Sequence, residues 1–151
     1  MRPIDKIFIH HSASEFGDAK LINSWHIQQG WSEIGYHFVV LNGYRTSGDY
    51  KNKKKNEELI GHVEKGRDIE KIGSHVLGHN TKSIGICLVH DKMPYHEHQL
   101  KSYRELVVKL MKEHNVKIEN VLGHYEVDKK KPLCPSLNMS EERKRIKEML
   151  L

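Results

Sequence analysis

The chain predicts an α/β fold, a single domain over residues 1–151 with a central mixed β-sheet flanked by helices and a functional site in a surface cleft. Three observations carry this. Short apolar runs alternate with stretches of helical periodicity along the whole sequence. The run Ser83-Ile84-Gly85-Ile86-Cys87-Leu88-Val89 is apolar without alternating, as expected of a strand covered on both faces. Finally, residues able to bind a metal stand at opposite ends of the chain, each beside a predicted strand or in a loop, so the fold must bring them together.

Lys6 to His10 reads as a strand entering the core through Ile7, Phe8 and Ile9, with His10 at its end. Asp18 to Gln29 places Leu21, Ile22 and Trp25 at helical spacing, and Gly30 stands where helices stop. Tyr36 to Leu41 is a second strand, followed by the turn signal Asn42-Gly43. The segment at about residues 50–58 carries Lys51, Lys53, Lys54 and Lys55 with almost nothing apolar, and reads as an exposed basic loop or insertion whose charge run is a solvated face. Ser83 to Val89 is the central strand. His98 to His114 sets Leu100, Tyr103, Leu106, Val107, Leu110 and Met111 on one face, the pattern of an amphipathic helix packed on a sheet. Ile118 to Leu122 is a short strand leading into Gly123-His124. Ser140 caps a last helix, with Glu141 and Glu142 at its positive end and Ile146, Met149 and Leu150 as its buried face.

With 37% hydrophobic and 30% charged residues, the composition is that of a globular domain large enough to bury a core without disulfides. The formal net charge of +5 favours polyanionic partners without choosing among nucleic acid, a membrane face and a cell wall. Of the two cysteines, Cys87 falls inside the apolar strand and reads as a small buried thiol. Cys134 lies in a loop before a proline, a better place for a ligand, and no disulfide between the two is expected. The segment Met1 to Lys6 has no apolar signal-peptide core, and no run approaches the roughly 18 apolar residues of a membrane span. The expectation is a chain that is cytoplasmic as synthesised and does not insert into a membrane.

Chemistry concentrates in three stretches: Phe8-Ile9-His10-His11-Ser12-Ala13-Ser14, Gly123-His124-Tyr125-Glu126-Val127 and Leu133-Cys134-Pro135-Ser136. Two imidazoles and one thiolate fill three corners of a tetrahedral zinc and leave the fourth for water, the pattern of a catalytic rather than a structural ion. The separation of residues 10 and 124 excludes a zinc finger or knuckle. Neighbouring strand residues point to opposite faces, so only one of His10 and His11 faces the site, and spacing alone does not say which.

These stretches occur in order with Trp25-His26, Gly30-Trp31, Gly35-Tyr36-His37-Phe38, Gly66-Arg67-Asp68, Gly73-Ser74-His75 and Asn80-Thr81-Lys82-Ser83-Ile84-Gly85. Together they resemble the zinc-dependent N-acetylmuramoyl-L-alanine amidases, the family that shares its fold with the peptidoglycan recognition proteins. The likeness is greatest to the short phage lysozyme-type amidases, or endolysins, and runs from about Ile7 to about Leu137. The resemblance implies one zinc ion on His10, His124 and Cys134, a catalytic Tyr36, a supporting His37, and His75 either near the substrate or as a hydrogen-bonded rim residue. It implies peptidoglycan as substrate, cleavage of the amide between N-acetylmuramic acid and L-alanine, and action on the wall after release; a monomer is expected. Some phage amidases of this kind also bind a phage RNA polymerase, a regulatory reading that the basic loop would serve. Members that bind peptidoglycan without cutting it typically lack a zinc ligand, most tellingly the cysteine.

One departure stands out. The family places a catalytic lysine two residues before the last ligand, where this chain has Pro132, and the loop from His124 to Cys134 is longer. The lysine's role passes to Lys131, with Lys130 as the alternative. Lys131 and Tyr36 would share oxyanion stabilisation and proton transfer in a division that the sequence leaves open, while Glu126 is either a general base or an orienting partner of a ligand.

Overall fold

Strand β1 (Lys6–His11) lies inside a mixed sheet with β2 (Phe38–Val40), β3 (Val63–Lys65), β4 (Ser83–Leu88) and β5 (Val121–Gly123), in the order β3-β2-β4-β1-β5, in a computed structural model that describes residues 1–151. β1 runs parallel to β4 and β5, β2 runs parallel to β4, and only the edge strand β3 is antiparallel, against β2. All six residues of β4 are buried, because this strand is the middle one and both sheet faces are covered.

Side-chain alternation divides the core between the two faces. Ile7, Ile9, Ile84, Ile86 and Leu88 pack with Tyr103, Val107, Leu110 and Met111 of helix α3 (Glu97–His114) and with Met139 and Ile146 of helix α4 (Met139–Met149). The opposite face carries Val39, Leu41, Cys87 and Val89 against Ile22 of helix α1 (Ala19–Gln28). Each large aliphatic side chain buried in this way contributes roughly 1.5–3 kcal/mol. By the same parity Phe8 and His10 turn away from α3 and toward the second face, where the Phe8 ring meets His75 and His79.

The helix ends follow from local chemistry. Asp18 caps α1 by accepting from the Leu21 N–H at 2.8 Å. At the far end of α3, Asn115 takes the left-handed conformation at φ 54° that terminates many helices. A further short helix, α2 (Ser47–Lys51), and a 3₁₀ turn at Glu57–Leu59 occupy part of the segment expected to be loop, while Lys51 to Glu58 is exposed as expected.

Several expectations are corrected. The cap of α4 is Asn138, whose side chain accepts from the Glu141 N–H at 3.1 Å, rather than Ser140. Met149 and Leu150 are 41% and 36% exposed, so the buried face of α4 is Met139, Glu142 and Ile146. The helix starts one residue before Ser140. Ile118–Asn120 is a 3₁₀ turn, and the strand comprises only Val121–Gly123. Strand β3 was not anticipated, because three residues at an edge with Glu64 and Lys65 among them show neither apolar periodicity.

Glu142 is the polar exception on the buried face of α4. It binds the Arg104 guanidinium through both oxygens at 3.0 and 2.9 Å and accepts from the Tyr103 hydroxyl, tying α4 to α3. Replacing Glu142 by alanine leaves a guanidinium and a phenol unpaired in a nearly closed site, and should cost about 3 kcal/mol in urea unfolding. Glu141→Ala, on the exposed side of the same turn, should stay within about 0.5 kcal/mol.

Candidate metal centre and active-site cleft

His10 reaches the centre because the parallel register of β1 and β5 sets Ile9 beside Gly123, so that the residues that follow them, His10 in β1 and His124 just after β5, emerge at the same sheet end. His10 is 1% exposed and faces the second side of the sheet, whereas His11 is only half-buried. His124 begins a 3₁₀ turn, His124–Glu126, that Glu126 fixes by accepting from the Gly123 N–H at 2.9 Å while pairing with Arg143 at 2.7 and 2.9 Å. Cys134 returns to this turn through its carbonyl, which accepts from the Tyr125 N–H at 3.0 Å, and its sulfur receives the His11 N–H at 3.4 Å.

The ligand atoms of His10, His124 and Cys134 all lie within 4.8 Å of one another. The two Nδ1 atoms are 3.1 Å apart, and Cys134 Sγ is 3.9 Å from His10 Nδ1. A tetrahedral zinc with ordinary bond lengths would hold such pairs about 3.3 and 3.6 Å apart, so the donor set fits the ion in chemistry and in size.

Hydrogen bonding behind His10 sets its tautomer. The Ser83 hydroxyl donates its one proton to the His79 carbonyl at 2.8 Å, so His75 Nε2, 3.2 Å away, must donate to Ser83 Oγ. His75 Nδ1 is then an acceptor, and His10 Nε2 donates to it at 2.9 Å. A neutral His10 with its proton on Nε2 presents a bare Nδ1 to the centre. Burial, reinforced by the neighbouring imidazoles, holds His10 well below the ordinary histidine value, and burial does the same for His75. Burial lowers His124 as well. Burial pushes the Cys134 thiol up to about 11, partly offset by the His11 N–H and by Lys131.

Gly85 makes this arrangement possible. A Cβ at that position would lie 2.7 Å from the His75 ring, and one at Gly73 would lie 2.8 Å from both His75 and His37. His37 supports the site from below: its Nδ1 accepts from the Gly85 N–H at 3.0 Å and its Nε2 donates to the Lys71 carbonyl at 2.8 Å. Burial lowers its pKa to about 4, so it stays neutral.

A cleft of about 520 Å³ opens over the centre. Tyr36 lines it with its ring 5.0 Å from that of His10, and burial holds its hydroxyl well above the ordinary tyrosine value, leaving it a proton donor at neutral pH. Lys131 lines the cleft, and Lys129 and Lys130 do not. His75 also lines it but is 8% exposed and engaged on both nitrogens, a place behind His10 rather than on the rim. Glu126 is held by Gly123 and Arg143 and does not line the cleft, so the reading of it as a general base is not supported. Sequence reasoning missed Asp128, whose Oδ2 lies 3.4 Å from His124 Nε2, and Ser83, which fixes His75. The spacing of Asp128, four residues after His124 within a turn, was the available signal. It also missed the apolar rim residue Leu77, which is 93% exposed.

The family model described as N-acetylmuramoyl-L-alanine amidase matches residues 1–136. The chain belongs to this amidase family. Among its relatives, the endolysin of Escherichia phage T7 is 34% identical over 145 residues, spanning 89% of this chain and 82% of that one. The endolysin of Klebsiella phage KP32 is 30% identical with the same coverage. Among solved structures, the N-acetylmuramoyl-L-alanine amidase LysC from Clostridium intestinale superposes with a TM-score of 0.75 at 26% identity, covering 99% of this chain and 86% of that one. Drosophila PGRP-LB, at 22% identity and a TM-score of 0.66 over 89% of this chain and 76% of its own, shares the fold.

Two outcomes follow for this amidase centre. Gly85→Ala should drive His75 off His10 and weaken metal binding at least tenfold, read by competition with a chromophoric chelator. In the wild type the imidazoles are already neutral at pH 7 and the thiol is not ionised until about pH 11, so metal binding must release the Cys134 proton. Apparent zinc affinity should therefore fall about tenfold for each unit of pH lowered between roughly pH 9 and 7. A slope near two would show that a histidine gives up a proton as well.

Proposed function

We propose that this amidase is a phage endolysin that hydrolyses the amide between N-acetylmuramic acid and the L-alanine of the stem peptide in peptidoglycan, with one zinc ion held by His10, His124 and Cys134. The observation that carries the reading is the convergence of these three donors at the floor of a cleft in a chain of this family. The endolysin relatives support action on the cell wall, and no helix is long and apolar enough to cross a membrane. The presence of all three donors favours catalysis over binding alone.

When bound, zinc supplies Lewis acidity that polarises the scissile carbonyl and lowers the pKa of water. The protein's residues supply the rest. Lys131 reaches the cleft with its ammonium and stabilises the negative charge that develops on the carbonyl oxygen. The Tyr36 hydroxyl, kept protonated by burial, donates to the same oxygen or to the departing nitrogen. His75 keeps the proton of His10 on Nε2, and Cys134 rests against the His11 N–H, which disperses the charge of a thiolate.

Purified zinc-loaded protein should release new N-terminal alanine from peptidoglycan without new reducing sugar, and His10→Ala should abolish the release. Lys131→Ala should lower kcat on the order of 10²–10³-fold while Lys130→Ala stays near wild type. Equal losses in the two lysine variants would remove Lys131 from its assigned role. Zinc binding without amine release would leave peptidoglycan binding as the function.

A further inference from the structure

The loop between His124 and Cys134 contains a carboxylate whose two oxygens do different things. Asp128 Oδ2 lies 3.4 Å from His124 Nε2, the ring nitrogen opposite the one that faces His10. Asp128 Oδ1 accepts from the Lys130 N–H at 3.0 Å. The Asp128 main chain makes two further bonds: its N–H donates to the His124 carbonyl at 3.1 Å, and its carbonyl accepts from the Lys131 N–H at 3.1 Å. The Lys131 carbonyl then accepts from the Cys134 N–H at 3.2 Å. One residue thus touches the second imidazole on one side and begins the turn bearing Lys131 and Cys134 on the other. The Asp128 side chain is 27% exposed, and that of His124 is 9%.

We infer that Asp128 is a positioning residue that holds the His124 imidazole for the metal with one carboxylate oxygen and sets the Lys131–Cys134 turn with the other. The chemistry is that of a carboxylate receiving the outer N–H of a ligating histidine, which fixes the tautomer and raises the basicity of the inner nitrogen. The two imidazoles are held in different ways. His10 is backed by the buried chain through His75 and Ser83, and His124 by a half-buried carboxylate from the loop. Glu126, the nearer acid in sequence, is unavailable because Gly123 and Arg143 occupy it. The inference rests on the metal reading proposed above.

The test is zinc affinity by chelator competition at fixed pH for wild type, Asp128→Asn and Asp128→Ala, with the melting temperature of each metal-free protein measured alongside. Asparagine caps a turn as well as aspartate does but carries no charge, so it separates the two roles. The expected result is zinc affinity lowered about tenfold in Asp128→Asn and further, toward 100-fold, in Asp128→Ala, with the metal-free melting temperature of the asparagine variant unchanged. Wild-type affinity in Asp128→Asn would overturn the inference and leave Asp128 a turn cap only. A wild-type protein that holds no zinc against the chelator would overturn the metal reading itself, and this inference with it.

Discussion

Parallel pairing of β1 between β4 and β5 is the constraint on which the rest depends. It brings residues more than a hundred positions apart to one sheet end, because Ile9 stands beside Gly123 and the next residue on each side is a histidine. It also sets the faces. Ile7 and Ile9 are drawn into the core under α3 and α4, and that burial holds Phe8 and His10 on the other side. A slip of one residue would exchange these sets and put His10 into the aliphatic core.

Burial then sets the electrostatics. Imidazoles clustered out of water lose their charged form first to desolvation and next to one another, so neutral rings with bare nitrogens are the stable state of His10 and His75. The same burial acts oppositely on Cys134, whose thiol resists ionising. A protein that buries polar rings must satisfy them, and the chain of His10, His75, Ser83 and the His79 carbonyl does so with one proton per link. His90 Nδ1 is the only buried side-chain nitrogen or oxygen left without a partner, and it lies outside this chain.

The loop between His124 and Cys134 decides which of its lysines faces the cleft. The position two before the cysteine is Pro132, which carries no charge and does not line the cleft. Lys131, one residue earlier, does line it, because hydrogen bonds from the Lys131 N–H to the Asp128 carbonyl and from the Cys134 N–H to the Lys131 carbonyl curl the segment into a compact turn. The lysines at 51 and 53–55 stay exposed on their own segment, with Lys55 placed over the Tyr44 ring at 5.2 Å.

Much was legible in one dimension. The unbroken apolar run at residues 83–89 announced a strand buried on both faces, the amphipathic pattern of 98–114 a helix on a sheet, and the residue types at 10, 124 and 134 a metal donor set. These signals are local, and periodicity or ligand chemistry reports them directly. Strand β3, the Asn138 cap and the exposed end of α4 were not legible, since three-residue edges and helix termini are decided by what they pack against. The resemblance pointed to His10 and Lys131, but only tertiary structure showed that His10 rather than His11 turns inward, that Lys131 lines the cleft, that Glu126 is spent on Arg143, and that Asp128 meets His124. Each of these is a question of direction: a side chain's neighbours depend on the register and turn that carry it, and those are set by contacts between segments far apart in the chain.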